Sequence, residues 1–274
     1  MKRKDRKSVF QISYVVILLL ISVMVFAWYS NNLKNELREL VRDTLKEVSN
    51  QNVLVVQKEL EGDLNALTEI AERIGALKDT GEEEIMDTLK GVIDRYSFKR
   101  MGFCGLDGMA STTDDRSFDI SESAYFAASI QGETYISALL IDPSDNDEII
   151  VFSAPVKKGG EIFGVVFAAY RVESLKEILS VTSFEGEGYT YIVQSSGDKI
   201  VDSINPTSFQ NMTNIYKSME EADARNTQAV KDLRSLLEGG KTGYVIFYNK
   251  IGKYMYATPL DINGWFLIDV VPVD

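Results

Sequence analysis

The longest hydrophobic run of the chain extends from Val9 to Tyr29 and contains no charged residue. A helix of this length spans about 30 Å, which matches the hydrocarbon thickness of a bilayer. Trp28 and Tyr29 end the run, and amphipathic aromatic rings favour the membrane interface. The run therefore predicts a transmembrane helix over residues 9–29.

The charges that flank this run predict its orientation. Residues 1–8 contain five Lys or Arg and one Asp, whereas the whole chain has a net charge of −12. Basic segments beside a membrane helix stay on the cytoplasmic side. We therefore expect a cytoplasmic segment over 1–8, one span in the cell membrane, and an extracytoplasmic domain. A cleaved signal peptide is the alternative, but residues 24–29 offer no small-x-small cleavage site.

After this run, apolar residues recur every three or four positions from residue 30 to residue 77, with Glu, Lys and Arg between them. The period predicts one long stalk helix, because the first proline of the chain is Pro143. The apolar stripe can pack against its own domain or pair with a second copy as a coiled coil. The second arrangement predicts a homodimer, and both remain open.

In residues 78–180 the apolar residues recur at a shorter spacing, and these residues form the first predicted module. The predicted elements are a helix over 82–96, a hairpin of strands 98–105 and 109–112, a helix over 124–130 and a strand over 134–137. Strands 149–156 and 162–170 follow, and they are apolar at nearly every position. We expect these two strands to be central and buried.

Residues 181–274 repeat this order as a second module, after a short helix at 173–179. The predicted elements are a hairpin of strands 189–193 and 199–201, a helical stretch over 214–238, and strands 243–248, 253–258 and 264–271. The predicted fold class is α+β, with a membrane helix, a stalk helix and two tandem antiparallel-sheet modules.

The composition argues against several classes of function. The chain has no histidine and one cysteine, Cys104, which removes the commonest general base and any internal disulfide. We find no nucleophile elbow, zinc-protease motif or phosphate-binding loop, so we expect no catalytic residue and no cofactor. The acidic character argues against nucleic-acid binding. We expect Cys104 to be a buried small hydrophobic residue.

One acidic segment, Asp142 to Asp147, raises the question of a calcium site, because clustered carboxylates can hold this ion. EF-hand spacing needs a glycine after the acidic triplet and a glutamate near the end of the loop. Here Glu148 and Ile149 follow directly. We therefore expect a polar hairpin tip and no metal site.

Several stretches resemble the double Cache (dCache) sensor domains of bacterial transmembrane receptors. They are Gly105-Leu-Asp-Gly108, Asp119-Ile-Ser-Glu-Ser-Ala-Tyr-Phe126, Gly132-Glu-Thr-Tyr-Ile-Ser137, Ile150-Val-Phe-Ser-Ala-Pro-Val156, Gly159-Gly-Glu-Ile-Phe-Gly-Val165 and Gly264-Trp-Phe-Leu-Ile-Asp-Val-Val-Pro272. The resemblance covers about residues 30–274 and implies a PAS-like sheet in each module. It also implies a small-molecule site in the membrane-distal module, 78–180, and a membrane-proximal module, 181–274, that relays to a second membrane span.

The resemblance also implies an output domain, which in this family is a methyl-accepting region, a histidine kinase or a diguanylate cyclase. Asp274 ends the chain where a family member would cross back through the membrane. We therefore expect either a truncated receptor or a protein that acts through a partner.

Members of the family that bind amino acids carry an arginine two residues before an aromatic pair and an aspartate that closes the last strand of the distal module. The matching residues here are Ser123, before Tyr125-Phe126, and Ala169. The two charges that would hold a zwitterion are absent at these positions. We therefore disfavour amino acids and expect an uncharged or aromatic ligand.

The candidate ligand-binding residues lie where the matching elements converge. They are Ser123, Tyr125, Phe126, Tyr135, Ser137, Phe152, Ala154, Phe167 and Ala169. Small residues at Ala154 and Ala169 beside aromatic rings suit a mostly apolar pocket. The alternative is that these aromatic rings fill a hydrophobic core.

The sequence favours a membrane-anchored extracytoplasmic sensor, but two other classes of protein remain open. A surface-anchored adhesion or scaffold protein predicts no pocket and tolerance of a charged substitution such as Phe167→Asp. An ectoenzyme predicts turnover of some substrate by the purified domain.

Overall fold

The first element of the chain is one long helix, α1 (Lys2–Gly75), which includes the predicted stalk helix up to Gly75. The computed structural model describes residues 2–79, 81–179, 188–203, 205–209 and 211–273, with side chains from residue 19 onward. The chain divides into two units, Met1–Glu47 and Val48–Asp274, and α1 contributes residues to both.

The predicted membrane segment, 9–29, falls within α1, and the side chains of residues 9–18 lie outside the described residues. Across the described part of the chain, no helix combines the length and the apolar character that crossing a membrane requires.

The second unit contains a sheet in which seven strands are described. They are β1 (Phe98–Gly105), β2 (Met109–Thr112), β3 (Ser117–Asp119), β4 (Tyr135–Ile136), β5 (Leu140–Ile141), β6 (Glu148–Lys158) and β7 (Glu161–Arg171). Their order is β3-β2-β1-β7-β6-β4, with β5 also paired to β6, and the paired strands are antiparallel. The two long strands β6 and β7 are central, as predicted, whereas β3 and β5 were not predicted.

Three short helices accompany this sheet. They are α2 (Glu82–Lys90), α3 (Ala124–Ile130) and α4 (Val172–Leu179). The predicted helix over 82–96 ends earlier than expected, because Gly91 caps α2 and a separate 3-10 turn covers Ile93–Arg95. Ser123 caps the N-terminus of α3, since its Oγ accepts a hydrogen bond from the Phe126 amide.

A second antiparallel sheet contains five described strands and two inserted helices. The strands are β8 (Tyr189–Gln194), β9 (Lys199–Asp202), β10 (Gly243–Asn249), β11 (Ile251–Pro259) and β12 (Trp265–Pro272), in the order β10-β11-β12-β8-β9. The helices are α5 (Ile215–Ala222) and α6 (Thr227–Glu238). The single predicted helical stretch is therefore broken, because Asp223 is extended and its carboxylate caps a 3-10 turn instead.

The two sheets share no described strand, in agreement with two modules in tandem. The predicted boundary at residues 180 and 181 lies outside the described residues. The first sheet has α1 on one face, where Leu60, Leu67 and Ile74 pack against a cluster that includes Phe152 and Ala154.

A separate hydrophobic cluster covers the opposite face of the first sheet, under α3. Cys104 is buried in this cluster, as predicted. Burial raises the pKa of its thiol to about 12, so the thiol stays protonated and weakly reactive. This face of the sheet also carries the pocket that is the candidate functional site.

Candidate functional site

A pocket of about 160 Å³ opens on the face of the first sheet opposite α1. Its apolar wall consists of Phe118, Ile120, Pro143, Ile149, Val151, Phe167 and Ala169. Its polar lining residues are Arg100, Asp119, Tyr125 and Asp142. A cavity of roughly 150 Å³ holds a molecule of benzene size, so this pocket has the capacity for a small metabolite.

The floor of the pocket comes from alternate positions on the two long strands. Val151 of β6 pairs with Ala169 of β7, and Ser153 pairs with Phe167. Directly paired residues in an antiparallel sheet point to the same face, so these four side chains lie on the pocket side. The intervening residues, which include Phe152 and Ala154, belong to the core that α1 covers.

An aromatic pair forms one side of the pocket. The ring centroids of Tyr125, at the start of α3, and Phe167, on β7, are 6.0 Å apart. Gly102 of β1 lies beneath the Phe167 ring, since a Cβ at Gly102 would overlap that ring. Burial raises the pKa of Tyr125, so its hydroxyl remains a neutral hydrogen-bonding group.

Arg100 enters the pocket from β1 through a β-bulge. The register between β1 and β7 shifts between Phe98 and Arg100, and bulges of this kind redirect side chains. As a result, the side chains of the consecutive residues Lys99 and Arg100 both reach Asp142. The Lys99 Nζ lies 2.8 Å from Asp142 Oδ2, and the Arg100 Nη2 donates to the same oxygen.

These three charged groups are almost completely buried. The exposed fractions of the side chains are 6% for Lys99, 5% for Arg100 and 1% for Asp142. Two buried cations therefore share one buried anion. The Arg100 Nη2 also donates to Ser144 Oγ, whereas the Arg100 Nε is buried without a hydrogen-bond partner among the described residues.

The acidic segment after β5 forms a polar turn around an ammonium group. The Lys99 Nζ lies 2.5 Å from Asp145 Oδ1 and 2.9 Å from Asp147 Oδ2, and both carboxylates are partly exposed. The Asp142 Oδ1 accepts the Ser144 amide, which closes the turn. In the ranges that the structure describes, no group of three or more His, Cys, Asp or Glu residues could hold a metal ion.

Asp119 supplies an exposed carboxylate to the pocket lining. Its Oδ1 accepts hydrogen bonds from the amide and the hydroxyl of Ser121, at 3.0 and 2.7 Å. These bonds lower the pKa of Asp119, so the carboxylate is ionised at neutral pH. The pocket therefore combines a buried guanidinium with an accessible negative charge.

The structure brings together only some of the predicted site residues. Tyr125, Phe167 and Ala169 line the pocket. Phe126 is buried in the cluster beneath α3, and Ser123 caps that helix.

The other predicted residues lie elsewhere in the first sheet. Phe152 and Ala154 are on the opposite face, because both long strands are apolar on both faces and their pattern does not identify the pocket side. Tyr135 lies on β4, opposite Ser153. Ser137 is buried beside that strand, where its Oγ accepts the Val151 amide.

The sequence reasoning missed Arg100 and Asp142 as lining residues. A signal was present, since Lys99-Arg100 interrupts an otherwise apolar strand. In a regular strand, one residue of such a pair must point to the core face, where an unpaired charge is costly. A buried counter-ion elsewhere in the chain could therefore have been expected.

The family comparison defines the class of protein. The Cache domain family model dCache_1 matches residues 31–274. The chain therefore belongs to this family of sensor domains, which bind ligands in chemotaxis and other signal-transduction receptors. This result confirms the resemblance that the sequence motifs indicated.

Individual relatives agree with this class. The methyl-accepting chemotaxis protein PctB of Pseudomonas aeruginosa is 24% identical over 212 residues, which are 75% of this chain and 32% of that protein. This chain thus spans about a third of the length of that curated relative.

Two solved structures share the fold. The ligand-binding domain of the P. aeruginosa chemoreceptor PctC, in complex with GABA, gives a TM-score of 0.65 at 17% identity and covers 84% of this chain and 99% of that one. The ligand-binding domain of the Pseudomonas fluorescens chemoreceptor CtaA, in complex with L-serine, gives a TM-score of 0.66 at 18% identity. This match covers 86% of this chain and 98% of that one.

These structures correct one prediction from the sequence. We expected amino acids to be disfavoured as ligands, because Ser123 and Ala169 lack charge. This prediction is wrong, since similar domains are solved with GABA and L-serine bound. The inference considered two positions only, whereas Arg100 and Asp119 bring both signs of charge to the pocket from other elements.

Proposed function

We propose that the chain is the extracytoplasmic ligand-sensing region of a bacterial transmembrane receptor and binds a small molecule in its distal module. The observation that carries this proposal is the pocket between Tyr125 and Phe167, with Arg100 in its wall. Ligand sites are typically concave and mostly apolar, with a few polar groups that fix the orientation of the ligand. This pocket has that composition.

The proposed ligand class is small amino acids and related compounds. Proteins of the same fold are solved with GABA, L-arginine and L-serine. The pocket here offers a guanidinium for a carboxylate and the Asp119 carboxylate for an ammonium group. Its volume of about 160 Å³ favours the smaller members of this class.

The proposed receptor is anchored through the uncharged run at residues 9–29 and continues beyond Asp274 into a second membrane span. A cytoplasmic output domain would follow, and a chemotaxis signalling region fits the relationship to PctB. Ligand binding can change the output only if the ligand binds one conformation of the domain better than another.

A thermal-shift screen of the full 274-residue chain, purified in a mild detergent, tests this function. The library contains amino acids, organic acids, purines, pyrimidines, sugars and amines. A ligand that binds the native state raises the melting temperature by an amount set by its concentration relative to Kd. The proposal predicts at least one hit that Phe167→Asp abolishes.

A control variant separates loss of binding from loss of folding. Ile251→Asp introduces the same charge at an exposed isoleucine in the second sheet, and it should retain the hit. A folded Phe167→Asp variant that still responds would contradict a site in this pocket. A folded wild-type chain that responds to no compound would favour the adhesion or scaffold alternative.

A further inference from the structure

We propose that a buried site for a monovalent cation, of which sodium is the test case, lies between α1 and the second sheet. The site is centred on the carboxylate of Asp269, with the hydroxyl groups of Ser49, Thr190 and Thr258 beside it. It belongs to a different sheet from the pocket of the proposed function, and its test needs no sensed ligand. This proposal and the proposed function can therefore fail independently.

The first argument is a buried carboxylate that has an unpaired oxygen. Asp269 of β12 has an exposed fraction of only 4%. Its Oδ1 accepts hydrogen bonds from the Asn52 Nδ2 at 3.0 Å and from the Thr190 Oγ1 at 2.6 Å, whereas its Oδ2 is buried with no hydrogen-bond partner among the described residues. Burial raises the pKa of Asp269, and the hydrogen bonds that lower this pKa come from neutral side chains. A buried carboxylate without a cation is unfavourable, so a bound cation would stabilise it.

The buried lysine of the same sheet cannot supply this positive charge. The Lys253 Nζ on β11 donates to the Tyr189 hydroxyl at 3.2 Å and to the Thr207 carbonyl oxygen at 2.7 Å. Tyr189 directly precedes Thr190 on β8, and consecutive residues of a strand point to opposite faces. Lys253 and Asp269 therefore lie on opposite faces of the sheet. The cation that balances Asp269 would have to come from solution.

The second argument is the set of oxygen atoms that α1 and the sheet bring together. The Ser49 Oγ lies 3.0 Å from the Thr258 Oγ1, and both residues are buried. Ser49 and Asn52 are three residues apart on α1, so they share one face of the helix, and both form hydrogen bonds with Asp269. Hard cations prefer carboxylate, amide and hydroxyl oxygens, and oxygens about 3 Å apart can be neighbouring ligands of one ion.

The charge of the site favours a monovalent ion. Calcium sites usually contain several carboxylates, and in the ranges that the structure describes no group of three or more His, Cys, Asp or Glu residues could hold a metal ion. Asp269 alone contributes one negative charge, so a monovalent ion makes the buried site neutral. A divalent ion would leave one positive charge buried and unpaired.

An ion at this position would connect the long helix to three strands of the second sheet. The oxygen atoms come from Ser49 on α1, Thr190 on β8, Thr258 on β11 and Asp269 on β12. Occupancy of the site would therefore stabilise the contact between α1 and this sheet, in addition to the direct hydrogen bond from Asn52.

Thermal unfolding of the full 274-residue chain in a mild detergent tests the site. Sodium chloride is compared with choline chloride at equal ionic strength, because choline is too large for a buried site of this kind. An ion that binds only the native state raises the melting temperature according to its concentration relative to Kd. At ten times Kd, we expect sodium to raise the melting temperature by about 3–6 °C and choline to leave it unchanged.

Two substitutions locate the response. Asp269→Asn removes the charge and keeps the size of the side chain, so this variant should fold and lose the response to sodium. Asp261→Asn makes the same change at an exposed aspartate before β12, and it should retain the response. Ser49→Ala removes one ligand and tests the site even if Asp269→Asn fails to fold. It should raise the sodium concentration at half-maximal effect about tenfold, whereas Ser235→Ala, at an exposed position on α6, should not.

Protons provide an independent readout, because a proton and sodium compete for the Asp269 carboxylate. Lowering the pH should therefore raise the sodium concentration that the wild type needs. Equal melting temperatures in sodium and choline would overturn the inference, whether or not the melting temperature varies with pH. A sodium response that survives in folded Asp269→Asn, or an unchanged sodium dependence in Ser49→Ala, would also overturn it. Each of these outcomes leaves the proposed sensor function untouched.

Discussion

Arg100 of β1 lies directly opposite Ala169 of β7, so a buried guanidinium is paired with a methyl group across the sheet. The carboxylates that pair with Arg100 come instead from Asp142, on the turn after β5, and from Asp114, after β2. This relationship explains why inspection of Ala169 alone suggested a pocket without charge. It also makes the packing around Gly102, on the same strand, a direct test of the pocket geometry.

Gly102→Ala should destabilise the domain and disturb the pocket floor. The new Cβ would overlap the Phe167 ring and lie 2.9 Å from the Ser111 carbonyl oxygen. Overpacking of this kind costs about 1–3 kcal/mol. Urea unfolding measures the change in the free energy of unfolding.

Gly62→Ala is the control, and it should change the free energy of unfolding in the opposite direction. Nothing lies within 4 Å of a Cβ at Gly62, so alanine, the better helix former, should add about 0.5–1 kcal/mol. A neutral Gly102→Ala would show that Phe167 is not held above this strand.

Leu67→Ala should remove much of the stability that α1 gives to the first sheet. Leu67 is fully buried in the cluster between α1 and that sheet. Truncation of a buried leucine costs about 2–5 kcal/mol. Leu54→Ala on the same helix is the matched control, because Leu54 is exposed and should cost less than about 0.5 kcal/mol. Similar losses in the two variants, measured by chemical denaturation, would contradict this packing.

The contribution of Asp63 to the stability of the domain should become less favourable as the pH rises from about 4 to about 6. Burial, reinforced by Glu59, raises the pKa of Asp63 from 3.8 to about 6. The native state therefore binds more protons than the unfolded state in this interval, so stability decreases as the pH rises. Asp63→Asn should remove the penalty and stabilise the protein by about 1–2 kcal/mol above pH 6, because the carboxyl is only about half buried and solvent screens part of the effect.

Denaturation curves at pH 4.5 and pH 7.5 check this sign. The difference between Asp63→Asn and the wild type should be larger at pH 7.5. Glu61→Gln, at an exposed position on the same helix, is the control for removal of one negative charge. A larger gain at pH 4.5 than at pH 7.5 would mean that the shift has the opposite direction.

Asn52→Ala should weaken the polar contact between α1 and the second sheet. The Asn52 Nδ2 donates to Asp269 Oδ1 at 3.0 Å, and the Thr190 Oγ1 donates to the same oxygen at 2.6 Å. Asp269 is buried, and burial raises its pKa, so the loss of a donor leaves a poorly solvated group. We expect a loss of about 1–2 kcal/mol in thermal unfolding. Asn32→Ala is the control, because it removes an exposed hydrogen bond to Glu36 and should leave the stability nearly unchanged. An equal loss of stability in the two variants would refute the special role of Asn52.

Much of the fold was predictable because most elements are local. The period of α1, the Asp107-Gly108 hairpin turn and the two long apolar strands each follow from neighbouring residues. The break at Asp223 was not predicted. An aspartate in a helical stretch can lie within a helix or cap the start of a new one, and the sequence does not show that a 3-10 turn begins after Asp223.

The candidate site was less predictable, for two physical reasons. The side chains of a strand alternate between the two faces of a sheet. Which of Phe152 and Phe167 faces the pocket depends on the register of β6 and β7, and two uniformly apolar strands do not specify that register. The contact of Arg100 with Asp142 joins residues that are distant in sequence, and a bulge at Lys99 redirects it. Only tertiary structure reveals such a pair.

A crystal structure of the chain with the strongest hit from the thermal-shift screen would test the central claim most directly. Our account predicts ligand density in the pocket between Tyr125 and Phe167, next to Arg100. Density in the second sheet or on the surface, with this pocket unchanged, would contradict a ligand site in the distal module.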